Sequence, residues 1–156
     1  MTLASTWYQW FLFAHVLAAT ALVGGALTLF ALAVAGRRQS DPEQELVLIR
    51  LAGKIGGPFF GFAGFALIGF GIALVENGNW GYDKFFIDFG FGIWAFSTLV
   101  GTFYYGNAQK GIEVAAERGP DDPELRMRLD RYYLVGRLDT LGLVAAVFVM
   151  ATKPWL

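Results

Sequence analysis

No cysteine occurs in the 156 residues, and histidine occurs once, at His15. The first absence excludes disulfides, thiolate metal sites and thiol redox chemistry, so any cofactor must be held by His, Met, Tyr, Lys or carboxylate groups. The second excludes a bis-histidine haem within one chain and any metal site built from a histidine cluster. Charge is sparse as well: 12 Lys and Arg stand against 13 Asp and Glu, for a net charge of −1. The basic residues cluster in two stretches instead of forming a phosphate-binding stripe, which sets nucleic acid aside as a partner. Paired carboxylates, a Ser-His-Asp set, a P-loop and a zinc motif are all missing. What remains is apolar: 56% hydrophobic and 17% aromatic residues with a mean hydropathy of +0.49. Such a composition belongs to an integral membrane protein, whose first partner is the lipid bilayer.

A helix needs about 20 apolar residues to cross a hydrocarbon core of about 30 Å. The pattern predicts an all-α, four-helix transmembrane bundle in a single domain over residues 1–156, with spans at about 8–35, 55–76, 85–108 and 132–152. The uncharged run from Thr140 to Thr152 would cover only about 20 Å at helical rise. Extending the fourth span back to Tyr132 brings Arg137 and Asp139 into or near one leaflet. Orientation follows from the basic residues. Arg37, Arg38, Arg50 and Lys54 lie between spans one and two, and Lys110, Arg118, Arg126, Arg128 and Arg131 between spans three and four. Lys84 and Lys153 lie on the other side. Both large loops are then cytoplasmic and both termini extracytoplasmic, in a cell (inner) membrane. The first span lacks the basic flank and short apolar core of a cleavable signal, so it is expected to stay in the protein.

Asp41-Pro42-Glu43 and Asp122-Pro123-Glu124 each place an N-cap Asp before a first-turn Pro and an acidic residue. Both read as helix starts, and short amphipathic helices are expected to run from them along the cytoplasmic surface into spans two and four. Their offset of 81 residues also aligns Arg50 with Arg131, a hint of a duplicated two-helix hairpin. Span two carries Gly53, Gly57, Gly61 and Gly64, small residues that let helix backbones approach closely in lipid. Pro58 removes a backbone hydrogen bond in this span and predicts a local break.

Ionisable groups inside a bilayer are costly and mark either function or structural pairing. His15 falls in the outer half of span one on a stripe with Ala19, Leu22 and Ala26, and Asp88 opens a similar stripe on span three. Three readings of His15 stand open: a neutral imidazole bonded to a backbone carbonyl or to Asp88, an axial haem ligand with Met150 completing the set, or a proton relay with Asp88. Arg137 and Asp139, two residues apart on a helix, point to different sides and cannot pair with each other. Arg137 is expected to reach the headgroups and Asp139 to meet Arg50 or Lys54 in structural ion pairs.

The segments FLFAHVLAATALVGG, YYGNAQKGIEVAAERGPDDPELRMRLDR and RLDTLGLVAAVFVMATKPW resemble a family of bacterial predicted integral membrane proteins of unknown function. That family is in turn distantly similar to the copper resistance protein D membrane domain and to HemJ-type membrane protoporphyrinogen oxidases. The resemblance implies a small helical bundle with a first-span His associated with haem b, which is His15 here, and Lys84 is the nearest match to a Lys that matters in the HemJ type. The further His residues of the copper proteins have no counterpart in this chain. The leading expectation is a haem-associated or redox-related membrane protein. The alternative is a non-catalytic accessory subunit that packs through span two, with a homo-oligomer or a larger membrane complex as its partner.

Overall fold

The computed structural model describes residues 3–38, 42–78 and 80–153. It is all-helical: α1 (Leu3–Arg37), α2 (Pro42–Asn77), α3 (Phe85–Leu99), a π-helical segment (Val100–Tyr105), α4 (Gly106–Ala116) and α5 (Pro123–Thr152). The segment from Phe85 to Ala116 is helical throughout, so the chain makes four long rods, and each is long and apolar enough to cross a membrane.

Two expectations are corrected. No separate amphipathic helices precede the second and fourth spans, because α2 and α5 run unbroken from Pro42 and Pro123. In α5 the start follows the expected chemistry: the Asp122 carboxylate accepts from the Glu124 amide at 2.8 Å, with Pro123 in the first turn. Asp41 lies outside the described residues. The local break expected at Pro58 does not occur either, since α2 stays helical through it. The residue ahead of a proline ordinarily clashes through its Cβ with the proline ring, and here that residue is Gly57, which has none.

The rods are arranged by their neighbours. Helix α1 packs on α2 and α5, while α3 packs on α5 and α2. The order around the bundle is therefore α1, α2, α3, α5, with α1 and α3 across one diagonal and α2 and α5 across the other. Exchanging α1 with α3 and α2 with α5 reproduces this order. The starts at Pro42 and Pro123 keep the 81-residue offset seen in the sequence.

Tight packing occurs at the two ends. At the end carrying the α1–α2 and α4–α5 loops, Ile49, Ile112, Ala115, Leu125, Leu129 and Tyr133 form one buried cluster. At the end carrying the chain termini, Val75, Phe86 and Ile87 form another, joined by Trp80, Phe91, Val149 and Met150. Helix α5 stops there at Lys153, whose φ of 43° is left-handed and whose amide closes on the Val149 carbonyl at 2.8 Å. Its ammonium lies 4.5 Å from the centre of the Trp80 ring. Between the clusters α1 and α2 remain in contact through small residues. Gly25 faces Phe59 and Phe60, Gly56 faces Leu29, and Ala18, Leu22 and Ala26 are buried.

A candidate ligand cavity between the helices

The middle of the bundle holds a partly open cavity of about 1160 Å³, lined by all four rods and mostly apolar. Its walls include His15 from α1, Gly57 and Gly61 from α2, Trp94 from α3, and Asp139 and Met150 from α5. That volume lies at or above the top of the 300–1,000 Å³ range of small-molecule sites.

His15 is placed by α2. Its Nδ1 is 3.0 Å from the Leu67 carbonyl oxygen, and its Cε1 would stand 3.2 Å from a Cβ at Gly71. The absent side chain at Gly71 is what lets the imidazole lie flat against α2. A carbonyl oxygen only accepts hydrogen bonds, so Nδ1 must be the protonated nitrogen and Nε2 carries a free lone pair. No described residue is recorded as a partner of Nε2, and the ring borders the cavity.

The remaining expected groups are distributed differently. Asp88 is exposed on the bundle surface and does not line the cavity. It stands on the helix diagonal to α1, so the structure does not bring it to His15, and a His15–Asp88 relay has no support in the packing. Met150 lines the same cavity as His15, but its methyl group is seated over Gly90 of α3, where any Cβ would overlap it. Arg137 is exposed, and no ion pair is recorded for it among the described residues. Asp139 does not meet Arg50 or Lys54. Arg50 pairs with Glu113 of α4 at 3.4 Å, and Lys54 is exposed. Asp139 faces the cavity near Ser97 of α3, and its Oδ1 is buried with no hydrogen-bond partner among the described residues.

The glycines of α2 divide into two kinds. Gly53 is covered by the Gln109 side chain, whose Nε2 donates to the Ile49 carbonyl at 3.1 Å. At Gly64 the Trp94 indole N–H donates to the backbone carbonyl at 3.0 Å. Gly57 and Gly61, between these contact points, face open space with nothing within 4 Å. So does Gly101 in the π-helical segment, which also lines the cavity.

A second polar group went unnoticed in the sequence. Glu45 is 5% exposed; the Tyr133 hydroxyl donates to its Oε1 at 2.8 Å, and Arg126 reaches its Oε2 at 3.4 Å. Arg37 stacks over the Tyr133 ring at 4.9 Å and pairs with Asp130. This network closes the loop end of the bundle. The one signal for it was the repeat itself, since Glu45 and Arg126 are 81 residues apart.

No family model matches the chain, and neither a curated protein nor a solved structure matches it. Among the described residues no cluster of three or more His, Cys, Asp or Glu able to hold a metal ion occurs.

Proposed function

We propose that this is a multi-pass inner-membrane protein whose bundle binds a lipophilic ligand in its central cavity, with haem b held by His15 as the leading reading. The observation that carries it is the fixed tautomer of His15. Histidines that bind metals donate their second ring N–H to a carbonyl or carboxylate, which orients the ring and frees the other nitrogen, and the Nδ1–Leu67 bond supplies that arrangement. Gly71 provides the flat seat for the ring, and Lys153, bordering the same cavity near the terminal end, is a cation suited to an acidic substituent of the ligand. Haem iron would supply one-electron redox chemistry, while the chain's own part is to orient the imidazole and to exclude water with apolar walls. Met150 borders the cavity as a further soft group. Nine Lys and Arg residues near the loop end against Lys84 and Lys153 at the other support a cytoplasmic loop end and extracytoplasmic termini. Purification with haem supplied is expected to give a Soret band that is lost in His15→Ala. A folded, colourless protein under those conditions refutes the haem reading.

A second reading, an accessory subunit of a larger membrane complex or of a homo-oligomer, is favoured by one observation. Gly57 and Gly61 are open, and the same helix exposes Phe62 (82%) and Phe65 (68%). Small residues flanked by large ones form the kind of face on which a partner helix packs in lipid. Gly57→Leu or Gly61→Leu should then abolish co-purification of partner subunits, and a native protein that purifies as a stable solitary monomer refutes this version.

A further inference from the structure

The cavity contains a second polar position, separate from His15 and used by nothing described so far. Starting from the level where Val75 and Met150 pack together, His15 meets α2 four to eight residues inward, at Gly71 and Leu67, or about 6–12 Å at helical rise. Asp139 is eleven residues inward along α5, about 16 Å by the same count. At this deeper level three polar side chains converge on the cavity wall. Asp139 offers an oxygen that is buried and unpartnered among the described residues. Ser97 of α3 is within hydrogen-bonding reach of the same carboxyl group. Tyr105 points its hydroxyl at the Gly136 backbone, where a Cβ would stand 3.4 Å away, and no hydrogen bond is recorded for it. Tyr105 ends the π-helical segment, a distortion frequent at functional sites.

A buried polar oxygen without a partner is rare in folded proteins, since each one forfeits the hydrogen bond it would make in water. An apolar chamber with such an acceptor at this level therefore suits a ligand that is hydrophobic over most of its surface and carries a hydrogen-bond donor where it reaches Asp139. Cationic ligands have no second carboxylate on the cavity wall to meet them; Arg37, Arg137 and Lys153 also border it, but a carboxylate at Asp139 repels an anionic group placed beside it. We propose that Asp139, supported by Ser97 and Tyr105, anchors the hydroxyl group of an uncharged, membrane-soluble alcohol or phenol whose apolar body occupies the cavity. Two sources share this chemistry: a lipid-soluble hydroquinone and a long-chain or polycyclic membrane alcohol. The opening at Gly57, Gly61 and Gly101, where no side chain stands in the way, is the route by which such a molecule enters from the bilayer. The proposal does not depend on haem at His15.

The test measures binding to the purified full-length chain in lipid nanodiscs under reducing conditions, read by quenching of tryptophan emission, since Trp94 borders the cavity. The probes are a decyl-substituted hydroquinone, its bis-methyl ether, which keeps the shape but donates no hydrogen bond, and a long-chain alcohol. A bond from a hydroxyl to a carboxylate predicts that the hydroquinone or the alcohol binds at least roughly tenfold tighter than the ether. Asp139→Leu should remove that difference, Asp139→Asn, which preserves the side-chain shape, should narrow it, and His15→Ala should leave it intact. Preference for the hydroquinone over the alcohol assigns the first source, and the reverse assigns the second. Equal binding of ether and hydroquinone, a difference that survives Asp139→Leu, or no binding by any probe overturns the proposal.

Discussion

The Glu45–Tyr133–Arg126 network allows a prediction whose size follows from burial. Glu45 is 5% exposed and receives the Tyr133 hydroxyl at 2.8 Å. Tyr133→Phe keeps the ring and its stacking with Arg37 but leaves a buried carboxylate oxygen without its donor. Hydrogen bonds to charged groups contribute about 1.5–3 kcal/mol. Arg126 is bonded to the same carboxylate at 3.4 Å, but its side chain is 57% exposed. Solvent screening holds such a pair to about 1 kcal/mol or less. The structure therefore ranks the two substitutions: Tyr133→Phe should destabilise the protein more than Arg126→Ala. Reversible unfolding in mixed micelles with increasing denaturing detergent measures both. In a Glu45→Ala background the cost of Tyr133→Phe should fall below about 0.5 kcal/mol, because the coupling between the two groups has been removed. Raising the salt concentration should shrink the Arg126→Ala effect and leave that of Tyr133→Phe unchanged. An Arg126→Ala cost that exceeds the Tyr133→Phe cost, or a Tyr133→Phe cost that persists without Glu45, would show that the carboxylate is not the hub of this network.

The glycines of α2 should respond in opposite ways. Gly53→Ala places a methyl inside the Gln109 amide and breaks its bond to Ile49, costing about 1–3 kcal/mol. Gly61→Ala meets open space and should be neutral or stabilising by up to about 1 kcal/mol through helix propensity, both by thermal unfolding. Trp94→Phe removes the 3.0 Å bond to the Gly64 carbonyl and should lower stability by about 0.5–1.5 kcal/mol in the same assay. Gly71→Val fills the seat of the imidazole; under the haem reading it should bleach or shift the Soret band while His15 is still present, and an unchanged spectrum would mean the ring does not lie on α2.

The parts of the fold legible in the sequence were those encoded by local rules. Span positions follow from run length, and the start of α5 follows from Asp122 and Pro123, because a cap is settled within a few residues. Facts depending on which helices are neighbours were not legible. Asp88 and His15 are on similar stripes, yet no residue pattern says that α1 and α3 stand on a diagonal. Asp139 was matched to Arg50 and Lys54 by depth alone, whereas the rotation of α2 about its axis turns those side chains outward and gives Arg50 to Glu113. Nothing in the local sequence marks Glu45 for burial, because that burial depends on Tyr133, 88 positions away. The single-sided features of the cavity escaped for a related reason: a glycine that makes a seat, such as Gly71, and one that leaves a gap, such as Gly57, look the same in a sequence.

The energetics of the middle of the bundle tie these features to function. A space of about 1160 Å³ with nothing in it forfeits the dispersion contacts of the side chains that line it. Ordered water does not fill such a space, because each water needs two to four polar partners and the walls are mostly apolar. The space is therefore one that hydrophobic material occupies in the membrane. Lipid chains alone would satisfy the apolar walls at no cost in specificity, and a chamber evolved only for them would need no polar groups. His15 and Asp139 are two of the places where that account fails. The imidazole Nε2 of His15 and the buried Oδ1 of Asp139 have no partner recorded among the described residues. A buried carboxyl oxygen without a partner is costly to maintain on an apolar wall unless something of matching chemistry meets it.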